Sequence, residues 1–501
     1  MRQALHIFKK DVRHLWFEIA VVIFVVAAFT FTAARRAHWL ADPATNRIGA
    51  WSLVMILLPL AWWALIARAI HGEVLPGDNQ FWITRPYSWK SLLTAKVLFL
   101  LAFINLPILL ADIIILRAYG LRPFGTEFPG LLWSQILLAI VYILPIAALS
   151  ALTSGFVQLV FAILTPCVIA LGIAIAAPNA VIAGFWGGSD WVKTYYVFLI
   201  IAVAASAILV WQYSARRTAP ARLLAAAGAI LAVLGLTLIP GSAAFKIQSW
   251  LSKKTVEASV PQVQFDSANK WLTRAVAEKD GRVRIELSLN ITALPLGMAA
   301  KPEGFSVQLH APDGTTWRAD QVPLRYVSDL DQRFSLQFTL DDAFYGTIKN
   351  QPLTIHGSLY LTLFGGRQSA RIPFGDRLVT VPRVGSCSAS GGSSQRSDFL
   401  ICTSAFRFPP VLVSYRFIQS ANGAAPDVST STRPRSISYS PFPAEAGINP
   451  VSQDFTFSSS AVPFSQALVD TIEPLAYIQR NFTIDNLRLA DYEVGPPRQL
   501  P

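Results

Sequence analysis

The chain contains no G-x-x-x-x-G-K-[ST] phosphate loop, no H-E-x-x-H pair and no G-x-S-x-G turn. The first absence removes the backbone cradle by which such loops hold nucleotide phosphates. The other two remove the commonest zinc-protease and serine-hydrolase arrangements. Histidine is scarce: six in 501 residues (His6, His14, His38, His71, His310 and His356), none spaced to share a metal. The acidic pair Asp329 and Asp331 reads as a turn between strands. No catalytic, cofactor-binding or metal residue is therefore expected. Charge is short as well, with 14% of residues Asp, Glu, Lys or Arg against 53% hydrophobic. That balance excludes an ordinary soluble protein and points to a membrane one.

What charge there is lies unevenly. Residues 1–249 hold 18 Lys+Arg and 8 Asp+Glu, and residues 250–501 hold 24 and 22, so the halves carry +10 and +2. A basic excess confined to the apolar half marks membrane topology, not a nucleic-acid partner. Seven segments there are long enough to cross about 30 Å of hydrocarbon, which takes roughly 20 helical residues. They are Phe17–Ala34, Gly49–Ala67, Val97–Leu116, Leu131–Ser150, Gly155–Ala176, Tyr195–Tyr213 and Leu223–Pro240. The first is not a cleaved signal peptide: its run is long, Arg35 and Arg36 follow it, and six more runs come after. With the N-terminus inside, the inner side carries eleven basic residues and the outer loops six. This predicts a cytoplasmic N-terminus in a cell membrane, such as a bacterial inner membrane, and an exported C-terminal half.

Residues 1–16 place Leu5, Phe8, Val12 and Leu15 on one stripe, with Lys9, Lys10 and Arg13 off it. This describes an amphipathic helix on the lipid of the inner leaflet, or an inward extension of the first span. Residues 17–242 then form the transmembrane domain. Within it, Asp112 is a costly group at membrane depth, read as a snorkelling or helix-paired carboxylate or as part of a pathway. Asn105, Gln135, Gln158 and Gln212 are expected to join helices by hydrogen bonds.

From about Lys253 the pattern changes to alternation. Val283, Ile285, Leu287, Leu289 and Ile291 share one face of "RVRIELSLNI", and "FSVQL", "FSLQFTL" and "SLYLTL" repeat the period. Several half-buried strands broken by Gly and Pro predict an all-β, sandwich-like region. We expect one lobe over 253–384 and a second lobe, or a continuation of the first, over 398–501. The Ser/Gly-rich Gly385–Ser397 is either a linker or a long loop. Cys387 and Cys402 flank that segment and either pair in an oxidising compartment or remain free thiols; Cys167 lies within a span.

The inner stretch "HGEVLPGDNQFWITRPYSWKSLLTAK" is too polar and turn-rich to be a plain tether. Glu73 ends the second span, Gly77 follows, Arg85-Pro86 and Ser88 form a turn, and Lys96 opens the third span. In these residues, and over about residues 1–215, the chain resembles the membrane (permease) subunits of ABC transporters of the type-2 exporter class. The resemblance implies a coupling helix in the 71–96 loop that rests on a separate ATP-binding-cassette subunit. It also implies a homodimer or a heterodimer with a second permease. ATP and Mg would enter only through that partner, so the chain itself is not expected to be an enzyme. The exported β region and the seventh span depart from the family pattern and leave the substrate open. "PNAVIAGFWGGSDW" fits the re-entrant outer helices of such exporters or a loop lying on the membrane. The alternative is a membrane-anchored receptor whose β region recognises a ligand or partner protein; an integral-membrane transferase is the weakest reading.

Overall fold

In the computed structural model, the described residues are 2–38, 48–73, 88–125, 127–176, 190–251, 261–267, 273–278, 281–295, 297–324, 333–381, 385–391, 397–405, 411–419, 435–437, 451–459 and 464–494. The segment "PNAVIAGFWGGSDW" lies almost wholly outside them, as do Asp329 and Asp331.

The N-terminal helix α1 (Arg2–His14) ends at a one-residue bend, Leu15, and α2 (Trp16–His38) begins at once. Next come α3 (Ile48–His71), then α4 (Trp89–Leu100) and α5 (Leu106–Ala118), which are one continuous rod joined by a π turn at Leu101–Asn105. The rod from α6 (Phe128–Leu138) to α7 (Leu144–Leu152) repeats this device, with a π turn at Ala139–Ile143. Each π turn is followed by a proline, Pro107 or Pro145. Proline has no N–H to give the carbonyl four residues back and its ring crowds it, so a locally widened turn lets the rod continue. Then come α8 (Phe156–Ala176), α9 (Asp190–Ala215), α10 (Thr218–Leu238) and α11 (Gly241–Leu251).

Six of these stretches are long and apolar enough to cross a membrane: Trp16–Arg35, Leu53–His71, Trp89–Ala118, Phe128–Leu152, Val192–Ala215 and Thr218–Leu236. The fifth expected span falls on α8, whose described apolar stretch, Phe156–Thr165, is shorter. The bundle is apolar inside and out. Phe29, Leu58, Trp62, Leu65, Phe99 and Ile108 are buried at its centre, whereas Phe24, Ile56, Leu60, Leu110 and Ile114 point outward. An apolar exterior of this kind is stable where hydrocarbon is the solvent.

The β-rich C-terminal region is separate. Its strands are β1 (Gln262–Phe265), β2 (Arg274–Ala277), β3 (Arg282–Thr292), β4 (Ala299–His310), β5 (Thr316–Pro323), β6 (Arg333–Asp341), β7 (Leu353–Pro373), β8 (Gly375–Val381), β9 (Gly385–Gly391), β10 (Ser397–Ala405), β11 (Val411–Gln419), β12 (Arg435–Ile437), β13 (Val451–Ser459) and β14 (Phe464–Leu487). One sheet centres on β3, which pairs with β1 and β2 along one edge and β6 along the other. A six-stranded sheet runs β12-β11-β14-β7-β4-β5, and a third runs β13-β10-β9-β8.

The alternating apolar positions read from the sequence fill one core: Val283, Ile285, Leu287, Leu289, Ile291, Phe305, Leu309, Leu336, Leu340, Leu359 and Leu361 are all buried there. A smaller core joins Ile372, Val381, Ala389, Leu400, Ala467 and Val469 with Cys387 and Cys402. Cys387 and Cys402 face each other across β9 and β10 and form a disulfide.

The segment Gly385–Ser397 does not divide two lobes. Most of it is β9, and the chain on either side of it is reunited by the longest pairing in the region. β7 and β14 run side by side from Gln466↔Pro373 to Leu487↔Leu353. Their Leu353 ends serve the large core, where Ala476, Phe482, Ile484 and Leu487 join it, and their Pro373 ends serve the small one. Strand 464–487 therefore lines both cores, which agrees with 398–501 as a continuation of the first lobe and not with a lobe of its own.

Candidate functional site

Helix α1 presents Ala4, Ile7 and Asp11 to the bundle, and Leu15, at the bend that follows, continues the row. Successive members lie three or four residues apart, so they share one helix face, and a carboxylate sits in the middle of that face. Its partner is Lys96, in the second turn of α4. The Lys96 Nζ donates to Asp11 Oδ2 at 2.8 Å and stands 3.1 Å from Glu73 Oε1, just beyond the end of α3. The Lys96 side chain is 4% exposed and those of Asp11 and Glu73 10% and 6%. Two carboxylates thus share one buried ammonium, an arrangement that survives desolvation only where its geometry is good.

Helix α9 closes the site. The phenol of Tyr213 lies within electrostatic reach of both carboxylates. Its hydroxyl, and both polar atoms of the fully buried Gln212, have no hydrogen-bond partner among the described residues. Weaker contacts frame the same end of the bundle. Arg68 Nε reaches Glu18 at 3.1 Å, Ser91 donates to Gln3 at 3.3 Å, and His71 Nε2 lies 3.2 Å from Thr153 Oγ1. Ser88 caps α4 by accepting the Ser91 N–H at 3.2 Å, which satisfies a first-turn donor and fixes where the helix begins.

Of the six expected coupling residues, three are therefore placed: Glu73, Ser88 and Lys96. Gly77, Arg85 and Pro86 lie outside the described residues. Glu73 is buried and ion-paired. Asp11 escaped the sequence reading altogether. Its signal was the spacing Ile7, Asp11, Leu15, in which a carboxylate interrupts an apolar i, i+4, i+8 row.

A second polar cluster lies along the rods. Asn105, at the end of the first π turn, donates from Nδ2 to the Gln135 backbone oxygen (3.2 Å) and Oε1 (3.3 Å). Gln135 in turn donates from Nε2 to Asp112 Oδ2 at 3.0 Å. Asp112 is buried, so the helix-paired reading describes it, and the snorkelling one does not. Asn105 and Gln135 are half-buried in the single chain. Their network bridges the α4–α5 and α6–α7 rods beside the places where both helices widen. Gln158 behaves differently from the expectation. It is exposed and accepts from Ser154 N (3.0 Å) and Oγ (2.9 Å), so it caps the start of α8 and does not join helices.

Among the described residues no three His, Cys, Asp or Glu side chains converge as a metal cluster. What the two sites do chemically is hold helices: one locks α1, α3 and α4 at the end of the bundle, and the other locks two rods midway along their length. Compared with protein-family models and with curated proteins, the chain matches none.

Proposed function

We propose that this chain is the permease subunit of an ATP-driven exporter, served by a separate ATP-binding subunit on the end of the bundle that carries α1. One observation carries the reading. The Asp11–Lys96–Glu73 pairs tie together α1, the end of α3 and the start of α4, and the last two bracket the 74–87 loop on both sides. A loop that must transmit force needs fixed anchor points, and a buried ion-pair frame supplies them.

The topology supports it. The α1 end also gathers Thr153 after α7 and, through Arg222 Nη2 on the Leu152 carbonyl at 3.3 Å, the start of α10. At the other end Trp133 donates to Tyr195 Oη at 2.8 Å, near the start of α9. Between Thr153 and Tyr195 the chain changes ends, and we take α8, 21 residues and about 32 Å long at 1.5 Å per residue, as the element that makes the crossing. We therefore read α8 as a seventh span and the α1 end as cytoplasmic. The two-core β region, which we take as sandwich-like, then stands outside the cell, where its disulfide is favoured. Asn105 and Gln135, half-exposed at a depth where lipid punishes polar groups, would be covered by a second permease.

The test is co-purification from native membranes. Arg85→Ala should leave expression and membrane insertion intact while reducing recovery of an ATP-binding partner and the associated ATP hydrolysis. Native complexes that contain no nucleotide-binding subunit would overturn the reading.

A further inference from the structure

Helix α11 (Gly241–Leu251) begins three residues after α10 ends, so its position is fixed by the end of a candidate membrane span. It has two unlike sides. Gly241, Ala244, Phe245 and Gln248 are buried. Phe245 is held edge-on between two tyrosines of the six-stranded sheet, 5.3 Å from Tyr360 on β7 and 6.0 Å from Tyr477 on β14. Ser249 Oγ donates to the Tyr477 carbonyl at 3.0 Å. Burial raises the Tyr477 phenol above its ordinary range, even though the Gln248 side chain bonds to it. This side is taken by the β region.

The other side is bare. Lys246, Ile247, Trp250 and Leu251 are exposed, Trp250 to 82% and Leu251 to 49%. At 3.6 residues per turn these positions form one contiguous sector with Ala243. A row of Ile, Trp and Leu with a lysine at its margin is unfavourable in water. It is the composition of a helix lying in the plane of a membrane interface, where indole sits at headgroup depth and lysine reaches the phosphates.

We propose that Gly241–Leu251 is an interfacial helix that seats the β region on the bilayer, with Trp250, Ile247 and Leu251 in the headgroup–acyl boundary and Phe245 locked into the sheet. The occupant of the bare face is lipid. The argument is continuity: the helix leaves a span with no room to climb away from the surface. The last span, the interface and the paired strands β7 and β14 then form one rigid connection. The inference holds whichever side of the membrane the β region occupies, and it does not depend on the exporter reading.

The experiment places a cysteine at residue 250 (Trp250→Cys) in a Cys167→Ser background that keeps the disulfide, labels it with an environment-sensitive fluorophore, and reconstitutes the full chain in phospholipid nanodiscs. Thr339→Cys, on the exposed face of β6, is the water-facing control, and Ile247→Cys repeats the measurement at a second position. Expected is at least twofold stronger quenching at 250 and 247 than at 339 by lipids carrying a shallow nitroxide, with weaker quenching by iodide. Iodide quenching at 250 and 247 equal to that at 339 would overturn the proposal in favour of a solvated helix. Protection from both quenchers would overturn it in favour of a protein partner.

Discussion

Replacing Lys96 by methionine keeps the length and apolar stem of the side chain and removes only the ammonium. Asp11 and Glu73 would then face each other across a site where all three side chains are at most 10% exposed. Exposed ion pairs are typically worth about 0–1 kcal/mol. Removing one partner of a buried pair costs about 3–5 kcal/mol, because a charge is stranded without solvent. The frame's weakest member is α1, which is short, terminal and joined to α2 only through Leu15, so we expect the loss to appear as undocking of that helix. Ala4, 4% exposed on its inner face, provides the reporter: in an Ala4→Cys, Cys167→Ser protein, thiol labelling requires α1 to leave the bundle. At tenfold per about 1.4 kcal/mol, Lys96→Met should speed labelling by roughly two to three and a half orders of magnitude. Asp11→Asn should do less, since the Lys96–Glu73 pair survives it. A Lys96→Met protein that labels within tenfold of its parent and melts at the same temperature would refute the idea that these pairs hold the helix.

Two further outcomes follow from the same structure. Gln135→Leu removes the donor to the buried Asp112 and should cost about 1–3 kcal/mol, whereas the double change Gln135→Leu with Asp112→Leu should cost less than the sum; thermal unfolding in detergent, run as a double-mutant cycle, measures the difference, and strict additivity would mean the bond is not formed. Replacing Cys387 and Cys402 by serine opens a crosslink between residues separated by 15 positions, worth about 3 kcal/mol for a loop of that length; the β-region melting transition should fall, and an unchanged transition would show that the cystine adds nothing to its stability.

The sequence displays best what depends on one face meeting one medium. Apolar runs gave the positions of the six long apolar helices, and alternation gave β3, whose Val283, Ile285, Leu287, Leu289 and Ile291 are all buried. Even there the rule stops at long-range partners. Glu286, on the nominally polar face, is also buried, because Arg274 and Arg284 converge on it. One helix start was displaced for a local reason: α4 begins at Trp89, eight residues before the apolar run at Val97, because a Ser88 cap and good helix formers extend it beyond that run.

The misreadings share a cause. Gly385–Ser397 reads as a linker or a long loop because small polar residues commonly mark both, but Ser and Gly also fill strands that pair closely, as in β9. The strand that unites the two cores returns about a hundred residues later, and nothing in 353–373 or 464–487 announces its partner. Asp11 and Lys96 are separated by 85 positions, and each alone looks like an ordinary charge at the edge of an apolar helix. A carboxylate inside an apolar i, i+4 row is the one local sign that a polar partner must lie opposite. Asp11 shows it between Ile7 and Leu15, and Asp112 shows it between Ile108 and Leu116. Asp112 met an amide because Gln135, itself held by Asn105, supplies a donor without a second charge, inside an apolar bundle where an added ion is costly. Asp11, at the end of the bundle, met the full ammonium of Lys96. The depth of each carboxylate along the helices thus accounts for the kind of partner it has.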